Sequence, residues 1–326
     1  MNRTVATLAL AVGTSIALAG CIAEPPVPGP APQMAKTAAL LNEQADRVVI
    51  DTFARVAWAD QSLDATLLGD RVAGDALEVR TAQYKVAAAA TDHAPDVLPE
   101  EQQAVYVSAA TAWPRVLASV SAQPGDDLTP VVSMWVQDDI ESRYSLRAWA
   151  HMIPGASMPT MSTDTTGATQ LVLDDASVDP TPRAAIEEYV EFLRAGPTSE
   201  LAANFTADTY SERLFAARDL LSKAAAGASG TFTDTIEPDL VNTYVLQTAD
   251  GGALVFAPIS VTSTFTVTNA KVNVAAADRP LLEGALSNTV THHFRDFVVM
   301  YIPGPALDTL PGLVAADHHL VKVTPG

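Results

Sequence analysis

The chain has 326 residues, of which 48% are hydrophobic and 17% charged, and its formal net charge at pH 7 is −19. Lys and Arg form no cluster, which excludes the usual electrostatic signature of a nucleic-acid-binding protein. Beyond the N-terminal leader, no apolar run reaches the roughly 20 residues that a membrane-spanning helix needs, so the rest is predicted to be globular.

The first residues have the pattern of an export signal. Arg3 gives a positive start, and the apolar stretch over residues 5–19 has the length typical of a signal-peptide core. The stretch ends in Leu-Ala-Gly-Cys at residues 18–21, which resembles the lipobox of bacterial lipoproteins. This resemblance implies that residues 1–20 are a cleaved signal peptide. It also implies that Cys21 carries a diacylglycerol anchor at the extracytoplasmic face of the cell membrane.

Residues 21–36 are predicted to be a spacer. They follow the cleavage site and contain a proline-rich run, which favours an extended polyproline II conformation of about 3.1 Å per residue. A spacer of this kind would hold an acidic domain away from an anionic membrane surface. Cys21 is the only cysteine in the chain, so no disulfide bond can stabilise the mature domain.

The first half is predicted to begin with two helices and to continue as strands. Apolar residues recur at helical spacing between Leu41 and Val56, and a second helical segment follows at residues 75–90. Short apolar runs then predict strands at residues 104–109, 115–122, 130–137, 143–153 and 170–173.

The second half repeats this order. Thr181 is a candidate N-cap followed by Pro182 at the first helical position, and Gly196 ends the helix. The apolar stripe of this helix consists of Ile186, Tyr189, Val190 and Leu193. A further helix at residues 209–226 is followed by a hairpin signal at residues 249–252. Strands are predicted at residues 230–236, 242–247, 253–268, 270–275, 287–302 and 319–324.

One strand in each half carries an arginine and ends in Ile-Pro-Gly. Arg147 and Pro154 mark the first copy, and Arg295 and Pro303 mark the second. The second copy has one more residue between the arginine and the proline, as a β-bulge would require. The similarity indicates an internal repeat.

Helices followed by antiparallel strands, twice over, predict an α+β fold of two tandem repeats. Each repeat has N-terminal helices packed on a curved antiparallel sheet. The layout resembles the nuclear-transport-factor-like and cystatin-like superfamilies, and the whole chain resembles a group of uncharacterised actinobacterial lipoproteins with such tandem units. The predicted domains are residues 37–175 and 182–326, joined by a linker at 176–181.

Most standard catalytic and cofactor-binding motifs are missing from the sequence. It contains no phosphate-binding glycine loop, no dinucleotide fingerprint, no Gly-x-Ser-x-Gly and no His-Glu-x-x-His, so no cofactor is indicated. Two pairs of adjacent histidines lie in the second half. If their strands are neighbours, His293 and His319 could meet near Asp317 or Asp296, and three such ligands suffice for zinc. The alternative interpretation is a pair of solvated strand ends.

A second candidate site comes from the alternation of side chains in the first half. Trp135, Arg147, Trp149 and His151 are predicted on one sheet face, pointing away from the helices. Large aromatic residues and arginine are common anchors of interfaces, so this face is a candidate surface for a ligand or partner. The alternative is that it packs against the second half.

Together these features predict a membrane-anchored extracytoplasmic lipoprotein. Its expected role is to bind a protein or small-molecule partner, or to act as a scaffold of the cell envelope, without catalysis. The competing hypothesis is an exported enzyme, in its most concrete form a metal-dependent hydrolase that uses histidines of the second half.

Overall fold

The computed structural model describes residues 37–90, 92–125, 128–161 and 166–326. The predicted signal peptide, Cys21 and the proline-rich spacer lie outside these ranges. Within them, none of the helices combines the length and apolar character that crossing a membrane requires.

The first half consists of two helices followed by a four-stranded antiparallel sheet in the order β1-β2-β3-β4. Its elements are α1 (Asn42–Ser62), a 3-10 helix (Ala65–Arg71), α2 (Asp75–Ala89), β1 (Gln102–Val107), β2 (Arg115–Ser121), β3 (Val131–Gln137) and β4 (Ser145–His151). Most of the predicted apolar stripe of α1 is confirmed, since Ala45, Val49, Phe53 and Val56 are buried, whereas Leu41 precedes the helix and is exposed. The helix forms because this stripe repeats every three to four residues and faces the sheet.

The second half begins with a short strand and two helices and ends in long strands. Its elements are β5 (Gln170–Leu171), α3 (Pro182–Ala195), a 3-10 helix (Glu200–Asn204), α4 (Thr209–Gly227), β6 (Thr231–Pro238), β7 (Tyr244–Gln247), β8 (Ala253–Thr266), a 3-10 helix (Arg279–Leu281), β9 (Thr289–Ile302) and β10 (Gly312–Pro325). The antiparallel sheet has the order β10-β9-β8-β7-β5, and β6 also pairs with β8. The start of α3 is as predicted: the side chain of Thr181 accepts a hydrogen bond from the Ala184 N–H.

The predicted fold class is confirmed. In each half helices precede most of an antiparallel sheet, which is an α+β layout of two tandem units. All four residues of the predicted stripe in α3 are buried. The hairpin signal at residues 249–252 joins β7 to β8, which pair as antiparallel neighbours.

Three details differ from the sequence-based expectations. Strand β5 pairs with β7 and so belongs to the second sheet, although it was expected to close the first. Residues 270–275 form no strand; Val272 and Val274 are buried as irregular chain. The bulge lies in the first copy, at Arg147 in β4, because the partners of β3 skip that residue, whereas β9 runs opposite β8 in continuous register.

The two sheets share hydrophobic clusters. Val132 and Met134 of the first sheet lie in one cluster with Leu254 and Phe256 of the second. On the opposite face of the first sheet, α1 and α2 form a second cluster, which also includes Val323 and other residues of the second half. Residues 36–326 are therefore one compact unit. The domain boundaries inside this unit stay a prediction.

Candidate functional site

The face of the first sheet that carries the tryptophans lies under the helices. Trp135 is 0% exposed and Trp149 is 3% exposed. The Trp135 ring packs edge-on against Phe53 of α1, with ring centroids 5.5 Å apart. The prediction that these residues point away from the helices is therefore wrong. Both faces of β3 are apolar enough to be buried, and the face with the smaller side chains packs against the second sheet instead.

Arg147 and His151, the other two residues of that predicted surface, have different partners. Arg147, at the bulge, forms an ion pair with Asp138. His151, at the end of β4, lies beside the second half: its Nδ1 is 2.7 Å from Asp317 Oδ2, and its backbone N–H donates to the same oxygen. The hydrogen bond between the His151 side chain and Asp317 raises the pKa of His151 above its usual value. His151 and Trp149 therefore contact β10 of the second half, whereas the ion-pair partner of Arg147 lies in the first half.

Trp149 contacts a cluster of two aspartates and a histidine, which consists of Asp96, Asp317 and His319. Asp96 precedes β1, and Asp317 and His319 lie two residues apart on one face of β10. His319 Nδ1 is 3.7 Å from Asp96 Oδ2, and its Nε2 is 3.7 Å from Asp317 Oδ2. The indole N–H of Trp149 donates to Asp96 Oδ2 over 3.2 Å. Among the described residues, this is the group of three that could hold a metal ion.

His293 does not join His319 in this cluster. In the register of β9 and β10, His293 faces Lys322, while His319 faces Arg295. His293 Nε2 instead lies 3.0 Å from the Thr324 hydroxyl. Burial and the neighbouring positive charge of Lys322 lower the pKa of His293. The predicted pairing of His293 with His319 is wrong, because adjacent histidines on two strands do not fix the register between them. Sequence reasoning placed Asp317 near His319 but gave no signal for Asp96.

A second polar group is buried on the other face of β9 and β10. Asp296 is 2% exposed, and its carboxylate accepts a hydrogen bond from the Tyr210 hydroxyl over 2.5 Å. His318 Nδ1 lies 2.7 Å from the same carboxylate. Burial and the charge of Asp296 raise the pKa of Tyr210 well above its usual value. The contact joins the start of α4 to the sheet, and nothing in the sequence pattern indicated it.

Two cavities flank α4, and both are bordered by His318. A cleft of about 550 Å³ lies between the start of α4 and the end of β4, where His151, Arg213 and Asp317 line it. A second cavity of about 420 Å³ lies between α4 and the second sheet. Its apolar lining includes Leu221, Phe232, Phe265, Val274 and Phe294. The two cavities adjoin, because Leu214, Ala217 and His318 line both.

Helix α4 leaves this space although Phe215 packs against Phe192 of α3 and Arg218 forms an ion pair with Asp234 of β6. Its buried residues are Tyr210 and Ser211 near the start and Ala225 near the end. The Asp208 side chain caps the helix by accepting from the Ser211 N–H over 2.7 Å. Between these ends Leu220 is 68% exposed. The middle of α4 therefore covers the sheet without filling the gap beneath it.

The chain was compared with protein families, curated proteins and solved structures. A family model described as a domain of unknown function, DUF8094, matches residues 36–309. No curated protein and no solved structure matches the chain. Since the matched range covers most of its length, the chain belongs to the DUF8094 family.

Proposed function

We propose that this protein is an envelope lipoprotein that binds an amphipathic small molecule between α4 and the second sheet. The observation that carries the proposal is the pair of adjoining cavities beneath and beside α4. Lipid attachment at Cys21 would hold this binding domain at the extracytoplasmic face of the cell membrane.

Both cavities have apolar and charged residues in their walls, and the cavity under α4 is the more apolar of the two. Under α4, the rings of Phe294 and His318 stack with centroids 4.0 Å apart, and Phe232 and Phe265 line the same space. Beside the start of α4, the cleft is lined by the polar groups of His151, Arg213 and Asp317. Binding pockets are typically apolar, with a few polar groups that fix orientation. This division favours a ligand with an apolar body and a polar or anionic head.

A fluorescent fatty acid, cis-parinaric acid, tests the binding proposal. Ala217→Trp places a large ring where the two cavities adjoin, and Ala216→Trp puts the same ring at the next position of α4, which lines neither cavity. We expect Ala217→Trp to weaken probe binding by about tenfold or more, which corresponds to about 1.4 kcal/mol. Ala216→Trp should leave it nearly unchanged. Absence of probe binding, or equal loss in both variants, would contradict the proposal.

Anchoring is tested separately by replacing Cys21 with Ser. We expect the native chain to sediment with membranes and to need detergent for release. The Cys21→Ser variant lacks the thiol that would carry the lipid, so it should lose the acyl chains in mass spectrometry and leave the membrane pellet after the signal peptide is removed. An unchanged mass and distribution would show that Cys21 is not the anchor.

A further inference from the structure

We propose that Asp96, Asp317 and His319 form a binding site for a divalent transition-metal ion, with zinc as the best fit. One ligand atom from each side chain can be chosen so that all three lie within 4.8 Å of one another. The segment before β1 supplies Asp96, and β10 supplies the other two, so the site would join the two halves of the chain. This proposal does not depend on ligand binding beneath α4.

The donor set indicates the class of ion. Two carboxylate oxygens and one imidazole nitrogen are common zinc ligands, at distances of about 2.0–2.2 Å from the metal. Calcium and magnesium prefer sites made of oxygen alone, and calcium takes about six to eight ligands. Closing the 3.7 Å separation between His319 Nε2 and Asp317 Oδ2 onto a shared ion needs only small side-chain movements.

The charges around the site also favour a cation. The ion-pair partners of Asp96 and Asp317 within the described ranges are histidines: His319 contacts both, and His151 contacts Asp317. The side chains of Asp96 and Asp317 are both partly buried, at 30% and 17% exposed. Partly buried carboxylates are costly without a compensating positive charge, which a divalent ion would supply.

His319 adds an independent observation. Its side chain is 14% exposed, and its Nε2 atom is buried without a hydrogen-bond partner in the described part of the structure. The 3.7 Å to Asp317 is too long for a hydrogen bond. A buried imidazole nitrogen of this kind is costly to leave unsatisfied, and coordination of a metal would satisfy it.

Surrounding groups already hold the ligands in place. Gln83 Nε2 and the Trp149 indole N–H both donate to Asp96 Oδ2, at 2.6 and 3.2 Å. The backbone N–H of His151 donates to Asp317 Oδ2. Arg80 donates to the main-chain carbonyl of Asp96 over 2.8 Å. Such outer contacts orient ligands and tune their affinity for the ion.

Calorimetry with zinc chloride tests the proposal on the purified, chelator-treated protein. We expect one zinc ion per chain, and a loss of affinity of about tenfold or more in both Asp317→Asn and His319→Gln. His293→Gln is the matched control: the same substitution on the neighbouring strand, at a histidine outside the cluster, should leave binding unchanged. Stoichiometric zinc binding that survives both cluster variants would overturn the proposal, and so would the absence of binding to the native chain.

Cobalt absorption gives a second readout that does not depend on folding stability. Co²⁺ bound by nitrogen and oxygen ligands in a low-coordinate site absorbs visible light much more strongly than the hexa-aqua ion. We expect such bands in the native chain and in His293→Gln, and their loss in His319→Gln. Circular dichroism of each variant confirms that the fold is retained. A native chain whose cobalt spectrum matches that of the free ion would contradict the assignment.

Discussion

The two sheets of this protein are covered in different ways. Every residue of β3 except Gln137 is buried, because helices cover one face of the first sheet and the second sheet covers the other. In β8, residues 253–259 are buried in the same manner, but most of those after Ile259 are only half-buried, where α4 stands above them. The first sheet is therefore packed on both faces, whereas the second sheet leaves space for the proposed ligand beneath α4.

Separating the halves is the largest perturbation of this comparison. A fragment of residues 37–175 would expose the apolar residues of β2, β3 and β4 that pack on the second sheet. We expect this fragment to lose cooperative unfolding, because one apolar face of its sheet would be exposed to water. Urea denaturation followed by tryptophan fluorescence is the measurement. A sharp, two-state transition in the isolated fragment would show instead that the first half is an independent domain.

Truncation of one aromatic residue in each region sharpens the comparison. Trp135→Ala should destabilise the protein by about 3–5 kcal/mol, as for a fully buried aromatic residue. Phe294→Ala, in the wall of the cavity beneath α4, should cost less than about 2 kcal/mol, because the ring is already half-buried next to empty space. Chemical denaturation of both variants measures the difference. Equal losses would mean that the second sheet is packed as tightly as the first.

The contact that fixes the start of α4 gives a smaller effect. Tyr210→Phe removes the hydroxyl that donates to the buried Asp296 and should cost about 1–3 kcal/mol, since a buried carboxylate loses a partner. Tyr301→Phe is the control, because its hydroxyl donates to the exposed Asp250 over 2.6 Å. There the loss should stay below about 1 kcal/mol, since water replaces the hydroxyl. Thermal unfolding of both variants measures the two losses. Equal losses would contradict the assignment of Asp296 as an anchor of α4.

The pH dependence of stability gives the smallest effect. Burial lowers the pKa of His292 below its usual value, with Asp278 opposing and His293 adding to the shift. Because the folded-state pKa lies below the unfolded value, neutral His292 contributes to stability above about pH 6.5. This contribution is lost as the pH falls through the folded-state pKa. His292→Gln should therefore reduce the loss in the free energy of unfolding between pH 7 and pH 5 by less than about 1 kcal/mol. His93→Gln, on an exposed loop, should leave the pH dependence of the free energy of unfolding unchanged. The same reduction in both variants would show that His292 is not its cause.

Local patterns of side chains predicted most of the helices and strands. The stripe of α3, its Thr181 cap and the turn at residues 249–252 follow from spacing and from side-chain chemistry that acts within a few residues. The segment at residues 270–275 has the same apolar character as a strand but no strand beside it to pair with. An alternating apolar run predicts burial, and it does not by itself predict hydrogen bonding in a sheet.

The candidate sites depended on contacts between distant parts of the chain. Trp135 was placed on the wrong side because β3 is apolar on both faces, and its alternation does not say which face the helices cover. Asp96 could not be paired with His319 from spacing, since the two lie in opposite halves of the sequence.

The sequence by itself determined the α+β class, the order of helices and strands and most of their limits, because these depend on periodicities within short segments. Only the tertiary structure decided that β5 joins the second sheet, that Arg147 forms the bulge and that a cavity remains between α4 and the second sheet. The same holds for the meeting of Asp96 with Asp317 and His319. These features depend on which apolar faces pack together. The hydrophobic effect is non-directional, so the order of apolar residues along the chain does not specify which face packs against which.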